Sequence, residues 1–212
     1  YQDDNGYYTN NVYYFKYEPL KWRVLDAVTG LVVCDSAIDS QAYNNYILYS
    51  GSEYWGDSEQ TYYASNWEYS SLREWLNNDF YNTAFSKTQQ DRIKELTREN
   101  KSRYDSKYDS NPTSDKITLL SYDDVLNTSY GFSSSSGAYD TARQRKETDY
   151  AKCQGLWVSS SYGGTSWWLR SPNDSFYTSG VAYDGWAYGN YSVDNTGGGV
   201  VPALNLTQSE IS

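Results

Sequence analysis

The chain has 212 residues, with 17 Lys and Arg against 27 Asp and Glu, a net charge of −10, no His and two Cys. The absence of His excludes His-based acid–base catalysis, the Ser–His–Asp triad and every His-ligated metal site. A charge of −10 repels phosphate backbones, so we expect no nucleic-acid partner. No apolar run approaches about 18 residues, so we also expect no direct membrane insertion.

The aliphatic residues that usually fill a core are scarce. Leu, Ile, Val and Phe number 35, whereas there are 25 Tyr and 8 Trp. Each buried aromatic ring removes roughly 150–250 Å² from water. We therefore predict one domain over residues 1–212, with rings in its core and residues 1–14 as an extended lead-in. Because the chain contains no Met, we expect it to be a mature or excised piece of a longer product.

The first predicted regular element is a β-hairpin. Residues 21–26 alternate between polar and apolar side chains, as strands do, and residues 31–35 form the second strand. Thr29 and Gly30 supply the turn between them.

Two amphipathic helices are predicted between residues 68 and 97. The first carries apolar residues at helical spacing on one face: Leu72, Trp75 and Leu76. The second begins at a capping box, in which Ser86 and Gln89 satisfy free backbone amides. Ile93 and Leu96 would continue its apolar face.

Two charged segments follow. Residues 98–115 contain an Asn-Pro pair and many charges, which predicts a surface loop. Residues 141–152 predict a helix, and we interpret their basic side chains as a solvated helix face: Arg143, Arg145, Lys146 and Lys152.

The C-terminal third is dense in aromatic residues. We interpret Trp167 and Trp168 as framework and residues 200–206 as a closing strand. Arg170 stands in an acidic, aromatic stretch, so we expect it to be buried and paired to a carboxylate or to carbonyl groups; ligand binding is the alternative.

Residues 173–199 form a candidate variable, ligand-binding region. Small apolar residues recur there at nearly regular intervals and are predicted to face inward: Val181, Ala187, Val193 and Val200. Glycines are predicted to supply turns: Gly185, Gly189 and Gly197 to Gly199.

Tyr and Trp mixed with Ser, Asn, Asp and Gly are typical of antibody paratopes, since rigid rings offer large contact area and small polar groups adapt their hydrogen bonds. The alternative is that these rings fill a Leu-poor core. The predicted ligand-binding residues are Asp174, Ser175, Phe176, Tyr177, Tyr183, Asp184, Trp186, Tyr188, Tyr191, Ser192, Asp194 and Asn195.

Signals for catalysis are weak. Neighbouring acids such as Asp57 with Glu59, or Asp123 with Asp124, are expected by chance in a chain with 27 acids. We therefore expect no enzyme activity, no cofactor and no metal site, with a carboxylate-based glycosidase as the remaining enzymatic alternative. Cys34 and Cys153 fit either two buried apolar side chains or one disulfide.

Several motifs carry a resemblance to a known family. Residues 19–26, residues 72–78, and residues 148–152 running to the WWLRSP motif at 167–172 resemble a bacterial domain of unknown function that is common in Firmicutes surface proteins. The closing Gly-Val-Val-Pro-Ala-Leu at residues 199–204 is similar to that family's Gly-Val-Arg-Pro-Ala-Leu ending. The resemblance is spread over about residues 19–206.

The resemblance implies an α+β, C-type-lectin-like fold: two helices packed on a small, mostly antiparallel sheet with long irregular loops, and the N- and C-terminal strands close together. This branch includes formylglycine-generating enzymes and the variable proteins of diversity-generating retroelements. The latter diversify ligand-contacting residues near the C-terminus on a constant scaffold, and residues 173–195 have the matching composition.

The sequence also departs from these relatives. Val201 replaces the family's usual Arg, and the two Cys lie outside the C-terminal core that would hold an enzymatic cysteine pair. The Glu-Pro-Asn or Gln-Pro-Asp motif of a calcium-dependent sugar site is missing, because Glu18-Pro19 is followed by Leu20.

We therefore expect an extracellular, surface-displayed receptor or adhesion domain. Its partner would be a protein or a glycan, and a fixed-specificity carbohydrate or cell-wall-binding module is the alternative.

Overall fold

The computed structural model describes residues 2–3, 5–44, 54–55, 62–137 and 139–207. The strands are β1 (Trp22–Asp26), β2 (Leu31–Cys34), β3 (Ser36–Ala37), β4 (Asp39–Ser40), β5 (Tyr54–Trp55), β6 (Tyr62–Tyr63), β7 (Ile93–Lys94), β8 (Leu96–Asn100), β9 (Ser110–Asp115), β10 (Ile117–Thr118), β11 (Lys146–Glu147), β12 (Trp167–Pro172), β13 (Tyr177–Val181), β14 (Ala187–Ser192), β15 (Gly199–Val200) and β16 (Ala203–Leu206). The helical segments are α1 (Ser71–Trp75), a π-helical turn (Leu76–Phe80), α2 (Tyr81–Ala84), α3 (Lys87–Gln90) and α4 (Asp149–Cys153), with 3₁₀ turns at Ser106–Tyr108, Asp124–Leu126 and Thr128–Tyr130.

The first sheet brings the two ends of the chain together. Strands β1 and β2 form the predicted hairpin, with Gly30 in the left-handed conformation (φ 79°) in its turn. Strand β2 pairs antiparallel with β16, so that Val33 lies opposite Ala203. Strands β10 and β7 pair with the other edge of β16. The hairpin and the closeness of the N- and C-terminal strands are therefore confirmed.

The second sheet carries the candidate binding region. Its strand order is β14-β13-β12-β15-β4, and every pair is antiparallel except β12 with β15. The chain passes from this sheet to the first between Val200 and Ala203. Residues 200–206 are therefore two strands rather than one, because Pro202 has no N–H with which to continue a ladder.

Aromatic rings fill the core, as predicted. Trp67 and Tyr43 are 0% exposed, and Trp167 and Trp168 are 1% exposed. The small apolar residues predicted to face inward are all fully buried: Val181, Ala187, Val193 and Val200.

The predicted fold class, an α+β C-type-lectin-like arrangement of two helices on a small sheet, is wrong. Strands make up 32% of the structure and helices 17%, and the main sheet curls into a half-barrel. The first predicted helix forms over residues 71–84, but the second does not. The capping box at Ser86 is present, yet it starts only the single turn α3, and Ile93 and Leu96 lie in β7 and β8. The spacing of Ile93 and Leu96 does not by itself distinguish a helix from a strand. The pairing of β7 with β16 makes this segment a strand.

Two other interpretations need correction. Residues 98–115 contain most of the hairpin β8–β9 rather than a surface loop. The segment 141–152 is helical only from Asp149, and its basic residues do not share a solvated face, since Arg143 is 0% and Arg145 2% exposed. Both guanidinium groups can be buried because they donate to backbone carbonyls, Arg143 to that of Ser135 in a loop and Arg145 to that of Cys34 at the end of β2.

The lead-in and the cysteines have defined surroundings. The Asp3 carboxylate accepts the N–H groups of Asn5 and Tyr7, which makes a turn in a segment predicted to be extended. The Asn5 amide donates to the carbonyls of Lys152 and Leu156, so the lead-in is attached to the end of α4. Both cysteines are free, and burial raises the pKa of the Cys34 thiol.

Candidate functional site

The β13–β14 hairpin separates buried from exposed side chains by strand alternation. Val181 lies opposite Ala187, and both are fully buried. Their neighbours Trp186 and Tyr188 therefore point away from the core, with 45% and 39% of their surface exposed. The two rings lie 5.2 Å apart, so they form one exposed aromatic surface.

The turn of this hairpin requires a glycine. Gly185 has φ 86°, and a Cβ atom there would lie 2.2 Å from the carbonyl oxygen of Asp140. The Asp184 carboxylate accepts the N–H of Trp186 at 3.0 Å and closes the turn. The turn is therefore held tightly against the loop that contains Asp140.

That loop is positioned by a buried arginine. Arg143 donates to the carbonyls of Ser133 (3.3 Å) and Ser135 (2.7 Å), and the next carbonyl, that of Ser136, accepts the N–H of Ala187. The loop thereby brings Tyr139, which is 69% exposed, to the hairpin.

A second loop, residues 154–166, approaches the hairpin turn from another side. Its exposed rings, Trp157 and Tyr162, lie 5.4 and 5.3 Å from the ring of Tyr183. Gly164 permits this approach, since a Cβ there would lie 2.9 Å from the Tyr183 carbonyl oxygen. Tyr162 also stacks on Tyr139 at 6.1 Å, which joins the two loops.

Six rings thus gather around the hairpin turn. We call this group the aromatic patch; it consists of Tyr139, Trp157, Tyr162, Tyr183, Trp186 and Tyr188. The sequence prediction included Tyr183, Trp186 and Tyr188 and missed the three rings of the flanking loops. A signal for one of them was present, because residues 159–164 (SSSYGG) share the Ser, Tyr and Gly composition of the hairpin.

A cavity of about 200 Å³ adjoins the aromatic patch, and Trp157 lines both. Two predicted binding residues, Tyr191 and Asn195, also line it. The Tyr191 ring rests on Gly180, its hydroxyl lies 3.3 Å from Ser166 Oγ, and burial raises its pKa. Tyr191 is therefore a neutral wall of the cavity, and its ring also lies 6.2 Å from that of Tyr188.

The remaining predicted residues lie at the other end of the hairpin, where Tyr177 pairs with Ser192. Four residues of strand, about 13 Å, separate this end from Val181 beside the turn. The structure thus places the predicted site residues in two groups. Tyr183, Asp184, Trp186, Tyr188, Tyr191 and Asn195 surround the patch and its cavity, whereas Asp174, Ser175, Phe176, Tyr177, Ser192 and Asp194 lie at or beyond the far end.

The acids of the predicted site shape local turns. Asp174 accepts the N–H groups of Phe176 (2.9 Å) and Tyr177 (2.8 Å), and Asp194 accepts the Ser192 hydroxyl. Each carboxylate therefore supports the loop geometry, as Asp side chains commonly do in turns.

The hairpin that carries three rings of the patch is free of basic residues, because no Lys or Arg follows Arg170 in the sequence. The pKa of Tyr162 is raised, chiefly by its hydrogen bond with Tyr139, so its hydroxyl is neutral at pH 7. Such a surface can stack on a ligand and exchange hydrogen bonds with it.

Of the acid pairs considered for catalysis, the structure describes only Asp123 with Asp124. Asp57 and Glu59 lie outside the described residues. Asp124 forms an ion pair with Arg170 at 3.0 Å, which confirms the expected burial and carboxylate pairing of that arginine. Asp123 is exposed. Within the described ranges, no three Cys, Asp or Glu side chains lie close enough together to hold a metal ion.

In the part of the chain that the structure describes, no helix has the length and apolar character needed to cross a bilayer.

Comparison with known proteins gives one assignment. No curated protein and no solved structure matches the chain. One family, described as Domain of unknown function (DUF6273), matches residues 38–208. This match covers well over half of the chain, which therefore belongs to the DUF6273 family.

Proposed function

We propose that this domain is a non-enzymatic, extracellular receptor or adhesion module that binds a protein or glycan ligand through the aromatic patch. The observation that supports this most strongly is the exposure of the aromatic rings. Five of the six rings keep 39–69% of their surface in solvent: Tyr139, Trp157, Tyr162, Trp186 and Tyr188. The rings form two contact groups around one turn, Tyr139–Tyr162–Tyr183–Trp157 and Trp186–Tyr188. Large exposed apolar surface of this kind marks interaction sites.

The surroundings of the patch support binding because they limit the entropy lost when a ligand docks. Tyr and Trp have only two side-chain torsions, so little freedom is lost when their rings are held. The loops that carry them are already held in place by the buried Arg143 and by the close contact at Gly185. A preorganised surface of this kind binds with a smaller ordering cost.

A fixed-specificity carbohydrate or cell-wall-binding module is the second candidate, and the cavity beside Trp157 and Tyr191 favours it. Its volume of about 200 Å³ is below the roughly 300–1,000 Å³ of sites that enclose a drug-sized ligand. It would therefore take one small group, such as a single sugar ring, of a longer ligand that also crosses the patch.

Removing the paired rings tests this proposal. The double substitution Trp186→Ala and Tyr188→Ala should weaken binding by about 30-fold or more, because exposed Trp and Tyr act as binding hot spots. The free energy of unfolding should fall by no more than about 2 kcal/mol, because both rings keep a substantial part of their surface in solvent, 45% for Trp186 and 39% for Tyr188. Ligands selected with the wild-type chain on a glycan array and from a displayed peptide library supply the probes.

Tyr177→Ala provides a matched control, because Tyr177 is 38% exposed but lies at the far end of the hairpin. Its loss should leave binding within about two-fold of wild type. Equal losses in the control and in the double variant would show that the patch is not the binding surface. A large fall in unfolding temperature in the double variant would show that its rings are core.

We also propose that the patch varies among related chains, as in the variable proteins of diversity-generating retroelements. The composition of residues 173–195 and the rigid framework beneath them support this. Sequencing the locus across its source population should show substitutions at exposed positions such as Trp186 and Tyr188. The buried Val181 in β13 and Ala187 in β14 should stay constant. A hairpin as constant as its framework would favour the fixed-specificity module.

A further inference from the structure

A second and larger concavity lies outside the aromatic patch. It has a volume of about 760 Å³ and is bounded by the segment before β1, by β1, by the end of the helical region 71–84 and by residues near β4 and α4. Its lining includes Trp22, Asp39, Trp75, Asp79, Phe80 and Phe85, and no residue of the aromatic patch. Its size is typical of a site that encloses a small organic molecule.

One wall of this groove is a continuous series of rings. Trp22 lies 6.2 Å from Phe85, Phe85 lies 5.6 Å from Phe80, and Phe80 stacks on Trp75 at 5.5 Å. Each of these four side chains is buried or half-buried. The ring faces can pack against the apolar part of a ligand. Their negative electrostatic potential also attracts a cationic group.

The groove is also lined by an acid that has no counter-ion among the described residues. Asp39 is 6% exposed, and among the described residues its carboxylate accepts the Ser40 N–H (2.8 Å) and the Gln41 side-chain amide (2.9 Å). No Lys or Arg of the described residues forms an ion pair with it. Burial raises the pKa of Asp39, which reflects the cost of keeping its charge in this position.

The rest of the lining has the same sign of charge. Asp79 lies at the exposed rim, Glu18 is paired with Lys16 on the surface, and the lining contains no basic residue. A ligand that brings a positive charge to Asp39 would supply the missing counter-ion. A neutral ligand would leave the buried carboxylate without a counter-ion.

We propose that this groove binds a small organic amine, with its apolar body against the ring wall and its ammonium group next to Asp39. Two favourable contributions act together. The ammonium group gains a charge-assisted hydrogen bond to the carboxylate, and Tyr150, which lines the groove and interacts electrostatically with Asp39, adds cation–π attraction. This site is separate from the aromatic patch, so its occupancy does not depend on the function proposed for the patch.

A pair of matched probes tests the proposal. In calorimetric titrations of the full chain, 4-phenylbutylamine should bind about ten-fold or more tightly than 4-phenylbutan-1-ol, which has the same body without the charge. Asp39→Asn should abolish this preference and leave the protein folded, because Asn has nearly the same shape and removes a buried charge. Asp123→Asn removes an equal charge from an exposed position and should keep the preference.

A second variant tests the location without touching the carboxylate. Thr83 is exposed and lines the groove, so Thr83→Trp should obstruct it and weaken amine binding by about ten-fold while the thermal unfolding midpoint stays near wild type. Absence of amine binding, or equal affinity for amine and alcohol, would overturn the proposal. So would a preference for amine that survives in Asp39→Asn.

Discussion

Replacing Trp168 by Ala is expected to lower the free energy of unfolding by about 3–5 kcal/mol. The ring is 1% exposed, its Nε1 donates to the carbonyl of Gln41 at 2.8 Å, and it contacts the rings of Tyr43 (5.8 Å) and Tyr191 (6.0 Å). Truncation leaves a large cavity and removes the donor to the partly buried Gln41 carbonyl. Denaturant unfolding monitored by circular dichroism measures the change. Trp157→Ala, at a position 52% exposed, is the control and should cost less than about 1 kcal/mol.

Gly198 gives this prediction a second test. A Cβ at position 198 would lie 2.1 Å from the Trp168 ring, so Gly198→Ala should destabilise the wild-type chain. In the Trp168→Ala background the same change should cost much less, because the obstructing ring is gone. Additive effects in this double-mutant cycle would show that the two residues do not share this contact.

Replacing Arg170 by Met is expected to cost about 3–5 kcal/mol at pH 7, because it leaves a largely buried carboxylate without its partner. Arg170 Nη1 donates to Asp124 Oδ2 at 3.0 Å and to the carbonyl of Leu119 at 2.7 Å. Burial by itself would raise the pKa of Asp124, but the Arg170 charge and the hydrogen bonds from Ser121 together hold it below its usual value.

The sign of the pH dependence follows from this shift. In the wild type, Asp124 contributes stability above its unfolded pKa of about 3.9, and this contribution is lost as pH falls through the lower folded pKa. In Arg170→Met, the Arg170 charge no longer opposes the effect of burial, so the folded pKa of Asp124 rises relative to the wild type and the stability that the carboxylate contributes at neutral pH falls. The difference between the two proteins should therefore be large at pH 7 and shrink in acid.

Unfolding measured at pH 7 and near pH 3.5 checks this expectation. The double variant Arg170→Met with Asp124→Asn should recover part of the loss at pH 7, since it leaves no unpaired charge. A stability difference that does not change with pH would show that packing, rather than charge pairing, accounts for the effect of Arg170.

Local periodicity determined much of what the sequence predicted correctly. The hairpin of β1 and β2 follows from strand alternation on either side of a turn that needs Gly30. The spacing of Val181, Ala187 and Val193 placed their side chains in the core, and Trp167 with Trp168 in its framework. Such patterns show which side of a helix or strand faces the interior. They can be read from the sequence because residues on the buried side recur at short, regular intervals along the chain.

Long-range pairing decided the elements for which the sequence prediction was wrong. Ile93 and Leu96 have helical spacing, yet β16 offers β7 a partner and β9 offers one to β8. Arg143 and Arg145 carry the charges of a surface helix, but a nearby loop and the end of β2 present backbone carbonyls that permit their burial. No local pattern reports a partner as distant in the chain as β16 is from β7 or Cys34 from Arg145, because the free energy of pairing appears only when the chain is folded.

The candidate site divides in the same way. The sequence by itself determined the exposed rings Trp186 and Tyr188, since their neighbours in a regular strand are buried. Only the tertiary structure brought Tyr139, Trp157 and Tyr162 to the same turn, because they belong to loops positioned by Arg143 and by contacts at Gly164. The physical reason is that alternation orients a side chain, whereas packing between distant loops decides which side chains meet.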